Sequence, residues 1–114
     1  MGLQLLVRHS GDVVVLDLLG RATIGSTTDR LSAQLRQLID SGATKILVNL
    51  TDLTQVDSSS ISTIVRAYVS LRRGGGTLKL LNPRGNVKLV LGMLRLLDAI
   101  PIAEDEEEAV ASFR

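Results

Sequence analysis

One acid and three hydroxyls stand together at Asp57-Ser58-Ser59-Ser60. Ahead of them, Lys45 to Leu50 is rich in Ile, Leu and Val and reads as a buried strand. Behind them, Ile61, Ile64, Val65, Tyr68 and Leu71 recur at helical spacing, so an amphipathic helix opens here and runs to about Arg73. The four polar residues therefore crowd one helix N-terminus. That end carries unpaired backbone N–H groups and a partial positive charge, and it suits an anion such as phosphate. A serine placed there is a site for phosphorylation, which adds roughly −1.5 to −2 charges at neutral pH. Asp and Ser are also the ordinary N-cap residues. A cap uses one of them and leaves the other hydroxyls unexplained. On the same helix Ser62, Thr63, Arg66, Ser70 and Arg73 are expected to point away from the apolar face.

The composition narrows the chemistry. The chain has 114 residues, enough for one domain with one core, expected to span 1–114. Its formal net charge is +1, with one Phe, one Tyr and no Trp. A nucleic-acid partner is not expected, because no basic stripe is interleaved with aromatics for stacking. With no cysteine there is no disulfide, thiolate metal site or cysteine nucleophile. The N-terminal residues lack a signal-length apolar run, and no apolar stretch is long enough to span a bilayer. A cytoplasmic protein without a membrane partner is the expectation. Asn49-Leu50-Thr51 matches a glycosylation sequon, but it lies in an apolar strand and reads as chance.

The elements that position the serines follow from patterning. Leu3, Leu5 and Val7 alternate with polar residues as a strand with one wet face. His9 to Asp12 reads as a turn, and Val13 to Leu19 as a second strand buried on both faces, except for Asp17. Gly20 to Gly25 reads as a loop. Ser26-Thr27-Thr28-Asp29 resembles a capping box before a helix that lines up Leu31, Leu35, Leu38 and Ile39. Gly74-Gly75-Gly76 ends the serine-capped helix and feeds a strand, Thr77 to Leu81. A third helix, from about Arg84 to Leu94, is expected to bury Val87, Val90, Leu91 and Leu94. Ala99 to Ala103 reads as a short edge segment, because Pro101 is tolerated only where its missing N–H does no harm. The acidic run Glu104 to Glu108 starts a last short helix, where acids oppose the positive end of the dipole. No caging loop accompanies the run, so no metal site is expected. The order β-β-α-β-α-β-α-β-α implies a mixed sheet with right-handed parallel crossovers. Its functional crevice is expected beyond the carboxyl ends of the strands, where the Asp57–Ser60 turn falls. One core is expected to collect Leu47, Val48, Ile64, Val65, Leu35, Leu38 and Leu91.

Three segments together resemble a known family. Gly11-Asp12-Val13-Val14-Val15-Leu16 with Gly20-Arg21 is similar to the second strand of the STAS domain and its exit. Lys45 to Ser59 is similar to that family's central strand and phosphorylation loop, and Gly75 to Pro83 to its following strand. STAS domains are named for sulfate transporters and anti-sigma factor antagonists. The resemblance implies an α/β fold: a STAS-like mixed sheet of four to five strands with an N-terminal hairpin, packed against four helices. The family's turn is typically Asp-Ser-Ser/Thr-Gly, with the second hydroxyl residue phosphorylated, which corresponds to Ser59. The resemblance further implies that the unphosphorylated protein captures a serine-kinase anti-sigma factor and frees the sigma factor. Phosphorylation breaks that complex and a phosphatase restores it. The implied partner surface comprises Asp57, Ser58, Ser59, Ser60, Ser62, Thr63 and Arg66, with no catalytic residue and no cofactor. Ser60 stands where the family usually has Gly, which adds a side chain and a competing hydroxyl. Ala22-Thr23-Ile24 replaces the Leu-Asp pair that often follows the Gly-Arg.

Nucleotide binding at the strand ends stays open without a glycine fingerprint to support it, and two other functions remain open at this level. One is a STAS scaffold or sensor subunit of a stress-sensing or lipid-transport assembly, in which the serine is not phosphorylated. The other is an enzyme with Ser59 as nucleophile and His9 as base. It lacks the Gly-x-Ser-x-Gly elbow such a nucleophile uses. The sequence leaves monomer and weak homodimer both open.

Overall fold

A computed structural model describes residues 2–22, 26–96 and 98–113. The elements are β1 (Leu3–Ser10), β2 (Val13–Ala22), α1 (Ser26–Asp40), β3 (Lys45–Asn49), β4 (Leu53–Val56), α2 (Ser58–Arg73), β5 (Thr77–Leu81), α3 (Gly85–Met93), β6 (Ile102–Ala103) and α4 (Glu106–Ala111). β1 and β2 form an antiparallel hairpin, and β2, β3, β5 and β6 follow in parallel. β4 runs parallel to the end of β2. The parallel strands therefore all finish at one edge, at Ala22, Asn49, Val56, Leu81 and Ala103. The mixed α/β architecture with four helices is the expected one.

The sheet has six strands, one more than expected. The added strand is β4, between the central strand and the serine turn, where the sequence pattern predicts none. Its origin is a mismatch of lengths. β2 has ten residues and β3 has five, so Gly20, Arg21 and Ala22 extend past the end of β3. The chain turns after Leu50 and returns alongside them, burying Leu53 and Val56 and exposing Thr54 and Gln55. Gly20 to Ala22 thus belongs to β2 and not to a loop. Residues 23–25, the rest of that expected loop, lie outside the described set, as does any test of the Leu-Asp replacement at Thr23-Ile24. The side chains of Ser26 and Thr27 in the capping box are also outside it.

The sheet is covered unequally. One face carries Leu16, Leu18, Ile46, Val48, Leu78 and Leu80 against Leu31, Leu35, Ile61, Ile64, Leu71, Val87 and Leu91 of α1, α2 and α3. The other face carries Val13, Val15, Leu47 and Leu81 under Ala109 and Phe113 at the α4 end. Leu47 is therefore in a second core, opposite Val48, because successive strand residues point to opposite faces. Val65 packs only partly buried at the margin of the first core. Leu94 follows α3 and is 44% exposed, which corrects its expected burial. Val90 is half-buried. In β1, Val7 and also Leu6 are exposed, so only Leu3 is fully covered there. His9 lies within β1, and the turn is Gly11-Asp12. Gly76 lets β5 approach the backbone of Thr44: a Cβ there would overlap the Thr44 carbonyl.

Candidate functional site

The β4–α2 junction builds the site. β4 ends at Val56, and Asp57 takes an extended conformation, φ −119° and ψ 178°. Its Oδ1 accepts from the backbone N–H of Ser60 at 3.0 Å, an N-cap of the usual kind. Two further bonds fasten this turn to the end of β2. The Asp57 N–H donates to the carbonyl of Ala22 at 3.2 Å, and the Ser60 hydroxyl donates to the same oxygen at 2.7 Å. One carbonyl on β2 thereby fixes both the cap and the first turn of α2. The place is the carboxyl edge of the parallel strands, as the crossover topology demands.

The three serines are not equivalent. Ser60 is 0% exposed and its hydroxyl is committed to Ala22, so it is structural and closed to a partner. The residue that replaces the family's Gly thus anchors the loop and offers no competing hydroxyl. Ser58 and Ser59 are exposed on the first turn of α2. Asp57 is half-buried, and its Oδ2 is shielded from solvent without a hydrogen-bond partner. No acid occupies the first turn of α2, while Arg72 and Arg73 occupy its last turn. The positive end of this 16-residue helix is therefore opposed only by the capping carboxylate.

Two other residues fall differently from expectation. Thr63 is 3% exposed and not on the polar face. Its hydroxyl donates to the carbonyl of Ser59 at 3.1 Å and accepts from Nη2 of Arg66 at 3.3 Å. Ser62 and Arg66 are exposed. The buried residues of α2 are Ser60, Ile61, Thr63, Ile64, Ala67 and Leu71. The small ones among them let α1 pack directly against α2. The spacing carries the signal, since Ser60, Thr63 and Ala67 repeat at i, i+3 and i+7, although the hydroxyl residue type of Thr63 predicts the polar face.

Two further motifs resolve as structure. Asn49 donates to Asp17 Oδ1 at 2.8 Å, and its Oδ1 accepts from the N–H and hydroxyl of Thr51. The sequon amide is thus engaged in holding the β3 exit. His9 pairs with Val14 near the start of β2, whereas Ser60 binds Ala22 at its end. Eight strand residues separate the two, about 26 Å, so His9 and Ser59 are not brought together. Among the described residues no group of three His, Asp or Glu side chains could hold a metal ion. No helix among them is long and apolar enough to cross a membrane.

The serine turn at the carboxyl edge of a mixed sheet, with an N-terminal hairpin and four helices, defines a class. The STAS domain family model matches residues 4–109, and the chain belongs to this family. Its relatives are named as anti-sigma factor antagonists. A candidate antagonist of Thermotoga maritima is 30% identical over 78 residues, 68% of this chain and 69% of that protein. A crystal structure of a candidate antagonist from the same organism superposes with a TM-score of 0.83 at 25% identity, covering 96% and 94% of the two chains. The Bacillus cell fate determinant SpoIIAA in its phosphorylated form superposes with a TM-score of 0.74 at 27% identity, covering 99% of this chain and 100% of that one.

Proposed function

We propose that this chain is an anti-sigma factor antagonist switched by phosphorylation of Ser59. It acts as a binding module in the cytoplasm and not as an enzyme. In the unphosphorylated state Asp57, Ser58, Ser59, Ser62 and Arg66 meet a serine-kinase anti-sigma factor, and the sigma factor is released. The kinase transfers the γ-phosphoryl group of ATP to Ser59 Oγ, leaving ADP and a proton. A phosphatase hydrolyses the ester and restores binding. The observation that carries this reading is the sorting of the serines. Ser60 is locked into the fold, while Ser58 and Ser59 are exposed at an N-terminus with no acid in its first turn, and Ser59 holds the position that the family resemblance gives to the phosphate. The existence of a phosphorylated form of SpoIIAA supports it.

Magnitudes favour a local switch. Weakening a complex 100-fold requires about 2.7 kcal/mol. A phosphate on Ser59 gains about 0.3–1 kcal/mol from its own helix terminus when exposed, which stabilises the free protein. Burying the same dianion beside Asp57, against a surface matched to a neutral hydroxyl, costs several times more through desolvation and like-charge repulsion. The interface bears the cost and the fold does not. The test is intact mass after incubation with candidate kinases and ATP, followed by mapping of the modified residue. Ser59→Ala is expected to abolish the added phosphate and retain partner binding. Phosphate mapped to Ser58 would overturn the assignment.

A further inference from the structure

We infer that Arg66 is the internal receptor for a phosphate on Ser59, an inference that rests on the proposed modification of that residue. Seven helical positions rotate the chain to within about 20° of two full turns, so Ser59 and Arg66 lie on one stripe of α2, about 10.5 Å apart along the axis. Helical side chains lean toward the N-terminus, which carries the long Arg66 side chain toward Ser59; the short Ser59 side chain leans the same way, so its phosphate meets the guanidinium by folding back along the helix. The hydrogen bonds record this direction. Arg66 Nη2 reaches Thr63 Oγ1 at 3.3 Å, and that hydroxyl reaches the Ser59 carbonyl at 3.1 Å. The guanidinium is thus parked over the turn that joins it to the serine.

Arg66 is also available. It forms no ion pair with any described residue. Asp40 and Arg36 of α1 line the same cavity of about 110 Å³ between α1 and α2, yet Asp40 does not pair with it. Its hydrogen bond to the neutral Thr63 hydroxyl is long, at 3.3 Å. A phosphate on Ser59 would replace that bond with charge-assisted ones, which are shorter and stronger. Buried Thr63 acts as a guide that keeps the long side chain on the phosphate side of the helix. Phosphorylation then changes the surface twice: it adds a dianion at Ser59 and withdraws the cation at Arg66.

Among the described residues, the other charges on the elements around the site are Asp57, which opposes the phosphate, Asp29 in the first turn of α1, Arg36 and Asp40 further along α1, and Arg21, exposed on β2 opposite Gln55. The test places phosphoserine at 59 by site-specific incorporation, so it does not depend on any kinase. Phosphorus NMR then follows the second ionisation of the phosphate in the otherwise native chain, in Arg66→Gln and in Arg21→Gln. A paired guanidinium favours the dianion, so Arg66→Gln is expected to raise that pKa by about 0.5 unit, with Arg66→Lys recovering part of the shift. Thermal unfolding of each variant confirms an intact fold. A pKa unchanged within about 0.1 unit in Arg66→Gln, or a rise seen only in Arg21→Gln, overturns the inference. Either result leaves the mapping experiment on Ser59 unaffected.

Discussion

α2 and α4 begin in the same way and end up electrostatically opposite. Each is capped by an aspartate in an extended conformation whose carboxylate accepts from the N–H three residues on, Asp57 from Ser60 and Asp105 from Glu108, both at 3.0 Å. Beyond the cap they diverge. The first turn of α4 holds Glu106, Glu107 and Glu108, and its dipole is already met by its own side chains. The first turn of α2 holds serines. α4 is six residues long and rests on the small second core, with Glu106 tied to Arg8 at 2.8 Å. α2 has 16 residues and is packed into the main core. A shared cap thus serves a closing strap in one place and, in the other, a firmly anchored helix end whose dipole only the capping carboxylate opposes. Local capping geometry does not distinguish these roles; the charge of the first turn and the depth of anchoring do.

The largest expected contrast is in anchoring. Ile64→Ala in α2 is expected to cost about 2–5 kcal/mol in chemical denaturation, because it empties a site in the main core. Phe113→Ala is expected to cost less, about 1.5–3 kcal/mol, since α4 can detach locally from the sheet. Equal costs would make α4 an integral layer and break the comparison. The caps come next. Asp57→Ala is expected to lose about 1 kcal/mol and Asp105→Ala about 0.5 kcal/mol, read as shifts in the unfolding midpoint. A larger loss at Asp105 would show that the short helix depends on its cap more than the long one.

The smallest effect is a pH dependence confined to the α4 side. Arg8 donates to Asp17 at 2.6 and 2.9 Å and to Glu106 at 2.8 and 3.1 Å, joining β1, β2 and α4. The Arg8 hydrogen bonds, helped by Asn49, hold the Asp17 carboxyl below its ordinary range. A carboxyl depressed in the folded state stabilises above its unfolded pKa, near 4, and that stability is lost as pH falls through the folded value. Stability is therefore expected to decline below about pH 4, and Asp17→Asn is expected to flatten that decline. At neutral pH Arg8→Gln is expected to cost about 1 kcal/mol or less, because Arg8 is 43% exposed. An unaltered acid limb in Asp17→Asn would remove this network from the account of how α4 is held.

Much of this was legible from residue types and spacing. The hairpin, the parallel order of the later strands, the existence of α2 and α4 and the position of the serine turn follow from period-2 and period-3.6 patterns, from the acidic run at 104–108 and from punctuation by Gly and Pro, whereas Asp105 as the cap of α4 does not. Three features were not. β4 is four residues long and has no pattern of its own; it exists because β2 outruns β3, a property of the assembled sheet. Leu47 and Val48 read alike in an apolar run; strand alternation puts them on opposite faces, and only the covering α4 end makes the Leu47 face a second core. Ser60 and Thr63 are expected on the partner surface, yet each buries a hydroxyl by bonding a backbone carbonyl, Ala22 in one case and Ser59 in the other. Such satisfaction depends on where the acceptor lies in three dimensions. It also separates the structural serine from the exposed ones.

The central claim is that one charge at Ser59 switches partner binding while the fold stays as it is. The direct measurement is the affinity for a serine-kinase anti-sigma factor, taken in parallel with the unfolding midpoint, for the native chain, Ser59→Asp and the Ser59-phosphorylated protein. The account predicts affinity at least about 100-fold weaker for the phosphoprotein, a smaller loss for Ser59→Asp, and a nearly unchanged midpoint. Undiminished affinity, or a loss accompanied by amide shifts spread across the whole sheet in the isolated phosphoprotein, would contradict it.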